Sequence, residues 1–238
     1  MNIRLAKSAA MAAIIALAVL LLAHAIGEQA LRQYSGDLRY YIGRHLILVG
    51  YSMALALIVG IPAGVLLSRR CAARYAERLM QVFNVGNTIP SLAVLAIALG
   101  VFGIGEPPAI TALFLASLLP IVRNTYEGVK NVPAAMLEAA RGIGMTPWQA
   151  LVRVELPNAL PIIIGGVRTA LAINVGTAPL AYLIGADSLG TLIFPGIYLN
   201  NTPQMLIGAA ATTALALILD GIVAGASRYA LAWRGRLA

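Results

Sequence analysis

The chain returns again and again to uninterrupted apolar stretches of about the length needed to cross a bilayer. A spanning helix takes roughly 20 mostly apolar residues. Six such stretches can be read, at residues 8–26, 46–68, 79–101, 108–126, 160–185 and 205–226. No soluble fold accommodates that pattern, and the weaker alternation of a membrane β-barrel is absent. The composition agrees, with 11% charged residues in 238 against about 25% in soluble domains. The expectation is an all-α, polytopic membrane protein forming one domain over 1–238. Residues 8–26 are read as a retained span, although Arg4, Lys7 and Ala23-His24-Ala25 give them some features of a cleavable leader.

The net charge of +8 follows orientation. With the amino terminus inside, thirteen of the 17 Lys and Arg residues fall on the inner side and three, Arg32, Arg39 and Arg44, fall outside. Arg168 lies within a span. Excess Lys and Arg marks cytoplasmic loops, so both termini are expected in the cytoplasm, and no nucleic acid is expected as partner. The single cysteine, Cys71, and the isolated His24 and His45 offer no metal-ligand spacing; an interfacial place suits both histidines.

One loop is too long for its topological task. Residues 127–159 connect the fourth and fifth spans, where 2–8 residues suffice in bundles. Asn131 and Pro133 can open a helix through Ala134 to Arg141, which Gly142 and Gly144 then break. Thr146, Pro147 and Gln149 form a capping box with proline at the first helical position. Trp148, Leu151 and Val152 then share a face, and Pro157 stops the helix near Leu156. Two short helices at an angle suit insertion into a groove on another protein better than anchoring in headgroups.

The loop resembles the EAA loop of ABC importer permeases: Glu138-Ala139-Ala140, three residues, Gly144, nine residues, then Val154-Glu155-Leu156-Pro157, with Val154 where isoleucine is usual. Other segments resemble the osmoprotectant branch, which imports glycine betaine, choline or carnitine: Gly86 to Ala93, Leu119 to Tyr126, Gly166 to Ala170, Asn174 to Ala178 and Leu183 to Ala186. Asp187-Ser188 depart from the Gly-Gly usual in that branch. The resemblance implies a type I importer permease fold with about six spans. It implies two permease copies or paralogues, two ABC ATPase subunits and a periplasmic solute-binding protein. Glu138, Ala139, Ala140, Gly144, Trp148, Leu156 and Pro157 would then form the ATPase-coupling segment, with the Trp148 face turned toward the spans.

Within the spans, Pro90 breaks the third, with Thr88 and Ser91 supplying hydroxyls. Asn174 and Thr177 share a face of the fifth, and they either line a pathway with Thr88, Pro90 and Ser91 or act as glue between helices. Arg168 and Asp220 fall at similar depth and either pair or snorkel separately. The glycine pairs Gly60/Gly64 and Gly221/Gly225 suggest close helix packing. No phosphate loop of the GxxxxGK[ST] form occurs, so no cofactor is expected on this chain and ATP is left to a partner. No catalytic constellation appears, and no cage-like aromatic cluster that would select a quaternary amine. Two alternatives are a permease for methionine or another amino acid and an ion-coupled secondary transporter.

Overall fold

The structure is a computed structural model describing residues 20–69, 72–86 and 88–232. Most of the first expected span therefore lies outside the described residues. Helical residues 20–26 lead into α1 (Glu28–Gln33) and α2 (Ser35–Leu67). Then come α3 (Ala73–Gly86), α4 (Ser91–Phe102), α5 (Glu106–Lys130), α6 (Ala134–Gly142), α7 (Pro147–Ala150), a π-helical turn (Leu151–Glu155) and α8 (Leu156–Thr177). A 3-10 stretch (Ala178–Ile184), α9 (Gly190–Tyr198) and α10 (Thr202–Ala232) complete the chain. Among the described residues no strand occurs, and four helical segments are long and apolar enough to cross a membrane: Ser35–Leu67, Glu106–Lys130, Pro147–Ile184 and Thr202–Tyr229.

The centre is a three-helix contact of α2, α5 and α8, with α4 and the 3-10 stretch completing an apolar core that includes Leu48, Met53, Leu95, Leu113, Ile121 and Val175. Small residues set how closely these helices approach. A Cβ on Gly64 of α2 would lie 2.5 Å from Cβ of Thr125, and one on Gly166 of α8 would lie 2.5 Å from Cβ of Asn124. Gly60 similarly faces Ile121. This is the small-residue packing of membrane helices, in which van der Waals contact replaces the hydrophobic drive. Gly221 and Gly225 do not behave this way. Nothing lies within 4 Å of either, so they sit on an open face of α10.

Two expected boundaries differ. The stretch 79–101 is not one helix but α3 and α4. The helix breaks ahead of Pro90, whose ring disfavours helical geometry in the residue before it, and Pro90 itself, with extended ψ (135°), caps α4. Pro157 does not end the helix entered at Pro147, and the chain runs on into α8. The turn before Pro157 widens to π-type over Leu151–Glu155, which places the proline in the first turn of α8, where a missing N–H costs little. The Asn158 side-chain amide donates to the Val154 carbonyl at 2.6 Å, satisfying an acceptor at the widened turn. The loop thus yields one free-standing helix, α6, and one extension of the fifth crossing. Helix α9, unexpected from the sequence, packs against α10, where Gly196 meets Met205 and Gly208 meets Leu192 and Ile193.

Candidate functional site: a jointed arm and a membrane cavity

The arm is built as its local residues require. Helix α6 ends in a Schellman arrangement: Met145 N–H donates to the Ala140 carbonyl (3.0 Å) and Gly144 N–H to the Arg141 carbonyl (2.9 Å). That geometry needs a left-handed residue, and Gly144 supplies it at φ +77°. After the reversal, the Thr146 hydroxyl accepts from Gln149 N–H while the Gln149 side chain accepts from Thr146 N–H, closing the capping box. Ala140 and Leu151 are buried where α6 folds back on the π-turn, whereas Glu138, Ala139 and Gly144 are exposed and Leu156 and Pro157 are half-buried. Trp148 does not turn toward the spans. It is 71% exposed and, with the exposed Met136, Ile143 and Val152, presents an apolar surface to the outside. Within the π-type turn Leu151 goes inward and Val152 outward, so the three residues do not share one buried face.

An ion pair that the sequence did not reveal fastens this arm. Arg69, just past the end of α2, grips Glu155 with both guanidinium nitrogens; Nη1 donates to Oε1 at 3.2 Å and Nη2 to Oε2. The Glu155 side chain is only 11% exposed and that of Arg69 30%. The residues are 86 apart in sequence, and no spacing rule connects them. At the opposite end of α2, Arg44 pairs with Glu106 at the start of α5.

Farther along α8, Arg168 and Asp220 meet as a bidentate pair, Nε to Oδ1 and Nη2 to Oδ2, both at 2.7 Å. This joins α8 to α10. Asn174 lies deeper and is fully enclosed. Its amide donates to the hydroxyls of Ser52 (2.8 Å) and Ser117 (2.7 Å) and to the Leu113 carbonyl (3.3 Å), so α2, α5 and α8 are tied at one polar node. Asn174 is therefore bonded into the helix contact and is not among the residues lining the cavity described next. His45 is likewise fully buried in α2.

Thr177 sits elsewhere. It joins Thr88, Pro90 and Ser91 in lining a cavity of about 710 Å³ between α4, α5 and α8. The walls are mainly apolar, with Thr111 adding another hydroxyl. Such a surface can pass a small solute while holding it only weakly, since it offers no charge and few fixed donors.

A helical bundle with an external jointed arm and an open apolar cavity suits a membrane component that works with partners. Residues 60–234 match the family described as the binding-protein-dependent transport system inner membrane component. The chain belongs to that family. It is 61% identical over 211 residues to the osmoprotectant import permease protein OsmY of Salmonella typhimurium, covering 89% of this chain and 86% of that protein. It is 41% identical over 198 residues to the glycine betaine/carnitine/choline transport system permease protein OpuCB of Bacillus subtilis, covering 83% and 90%. In fold it is similar to a chain of the MetNI methionine ABC transporter in an inward facing form, with TM-score 0.70, 23% identity and coverage of 87% and 99%. This inner membrane component thus has the type I importer permease fold, in which the arm and the spans are one continuous body.

Proposed function

We propose that the chain is the permease subunit of an ATP-driven importer for small osmoprotectant solutes of the glycine betaine, choline and carnitine kind. The 61% identity to an osmoprotectant permease across most of both chains carries this reading. The chain works with two ABC ATPase subunits, a second permease copy or paralogue and a periplasmic solute-binding protein. It binds no cofactor itself, and ATP is used by the ATPase. Both termini and the arm face the cytoplasm.

The arm docks on the ATPase. Exposed Glu138 and the apolar surface of Met136, Ile143 and Trp148 suit the groove of a partner. ATP-driven closure moves the arm, and because α7 continues through the π-turn into α8, the fifth crossing moves with it. Arg69–Glu155 passes the displacement to α2, and Arg168–Asp220 passes it to α10. Thr88, Pro90, Ser91 and Thr177 then face the solute path at the cavity between α4 and α8.

The test is uptake of radiolabelled choline and glycine betaine into proteoliposomes carrying the whole complex, with the binding protein outside. Uptake that needs ATP on the ATPase side supports the reading. Uptake by the permease alone along an ion gradient overturns it.

A further inference from the structure

The membrane cavity carries no group that distinguishes a quaternary ammonium ion from any other small solute. A different place on the molecule does. The 3-10 stretch ends at Gly185, and Asp187 follows in the loop where this chain departs from the resembling branch. Its carboxylate accepts a hydrogen bond from the Tyr40 hydroxyl of α2 at 3.1 Å. Tyr40 meets Tyr41 edge-to-face, with centroids 5.2 Å apart and planes at 75°. On the chain segments flanking Asp187, Tyr182 and Phe194 stack with centroids 5.5 Å apart and planes within 7°. Tyr41 feels the charge of Asp187 and Asp37 and the ring hydroxyl of Tyr182, so the second aromatic pair lies in the neighbourhood of the first. Tyr40 is 55% exposed and Asp187, Tyr41, Tyr182 and Phe194 are half-buried, which leaves the cluster open to solutes from outside the bundle.

The charges there are unbalanced. Arg32 is taken by Glu28 and Arg44 by Glu106, while Asp37, Arg39 and Asp187 form no ion pair among the described residues, which leaves two carboxylates to one guanidinium. A carboxylate that makes no ion pair, bonded to one exposed ring and with three more rings in its neighbourhood, attracts a cation. Small inorganic cations need several oxygen ligands, and no group of three metal-ligating side chains occurs among the described residues. A weakly hydrated cation that needs no hydrogen-bond acceptors, and that gains from ring quadrupoles, fits better.

We propose that Asp187 with Tyr40, Tyr41, Tyr182 and Phe194 forms a recognition site on the permease itself for a small quaternary ammonium cation. The site lies at the end of the bundle that receives solute, a placement that rests on the function proposed above. It favours choline, which carries only positive charge, over glycine betaine, whose own carboxylate is repelled by Asp187.

The experiment uses the permease–ATPase complex in nanodiscs without binding protein, and radiolabelled choline as probe. Saturable choline binding is expected, displaced by tetramethylammonium and about tenfold less well by glycine betaine. Asp187→Asn and Tyr182→Ala are expected to weaken it by about tenfold, and Asp187→Glu to retain most of it. Size-exclusion profiles and ATP hydrolysis of each variant check that the complex is folded. No choline binding by the wild type, or equal binding by wild type and Asp187→Asn, overturns the proposal. So does a weakened affinity for the binding protein in Asp187→Asn with choline binding unchanged, which would make the cluster a docking surface. Binding-protein-fed, ATP-driven uptake by the wild type is measured alongside. If uptake stands while the variants bind alike, only the recognition site falls; if uptake itself fails, the importer reading falls.

Discussion

Replacing Arg69 with alanine tests how the arm is held. Glu155 keeps an 11% exposed side chain at the π-turn, and among the described residues its ion-pair partner is Arg69. Removing the arginine leaves a carboxylate enclosed without its counter-charge, and breaking a buried pair this way costs about 3–5 kcal/mol. Arg69 is itself 30% exposed, so water already screens part of the interaction, and the lower end, about 3 kcal/mol, is the right figure. Glu155→Gln is the milder change. The amide still accepts from the guanidinium, and Arg69 can turn its charge outward, so the loss is about 1 kcal/mol. The double replacement Arg69→Met with Glu155→Leu strands no charge and should be close to wild type in stability. For a chain of this size about 2–4 °C accompanies each kcal/mol. The thermal midpoint of the detergent-purified complex should therefore fall in the order Arg69→Ala, then Glu155→Gln, with the double variant nearest wild type. ATP hydrolysed per solute imported should nevertheless rise in all three, because the link from arm to α2 is cut. A double variant as unstable as Arg69→Ala, or Glu155→Gln worse than Arg69→Ala, refutes the argument from stranded charge.

Three further outcomes follow from the same geometry. Single reversals Arg168→Asp and Asp220→Arg should each abolish uptake while the double reversal restores a measurable part of it; no restoration would mean that the 2.7 Å contacts do not govern transport. Glu138→Lys and Trp148→Ala lie on exposed positions and should leave the thermal midpoint of the isolated permease within about 1 °C, as surface changes usually do, while reducing copurification with the ATPase. Gly166→Leu should prevent accumulation of folded permease, since even a Cβ there comes within 2.5 Å of Asn124, whereas Gly221→Leu should accumulate normally because that face is open.

What the sequence disclosed was local. The Schellman turn at Gly144 and the Thr146–Gln149 capping box lie within six residues of each other, and each is dictated by backbone geometry that only those residue types satisfy. Gly60 and Gly64 were equally readable, since two glycines four apart on an apolar helix mark a close neighbour. The same rule failed at Gly221 and Gly225, because spacing says which face is narrow but not whether anything covers it. Pro157 misled for a related reason. A proline bars the ordinary helical hydrogen bond, yet the five residues Leu151–Glu155 ahead of it can widen into a π-turn, and the choice depends on the burial of Leu151 and Glu155. The Arg69–Glu155 pair and the meeting of Tyr40 with Asp187, 147 residues apart, are products of tertiary packing. Low aromatic content concealed the latter, because Tyr40 and Asp187 come from distant parts of the chain and meet only after folding.

The fully enclosed node at Asn174 suggests how the long body from Pro147 to Ile184 moves. Three helices share hydrogen bonds there and have no water to exchange with, so it is the point of α8 least free to translate. At 1.5 Å per residue, the arm lies about 40 Å from this node. The far end of the 3-10 stretch, with about 2 Å per residue over most of its length, lies about 18 Å beyond it. A rigid body turning about Asn174 should therefore displace the arm roughly twice as far as the solute-side end, in the opposite sense. Spin labels at Gln149→Cys and Leu183→Cys, in a background with Cys71→Ser, measure both displacements against a fixed label on α5 when ATP is added to the complete complex. A ratio near two with opposite signs is expected. Equal shifts in one direction would mean that α8 slides as a piston and that the buried asparagine holds the helices together without serving as their fulcrum.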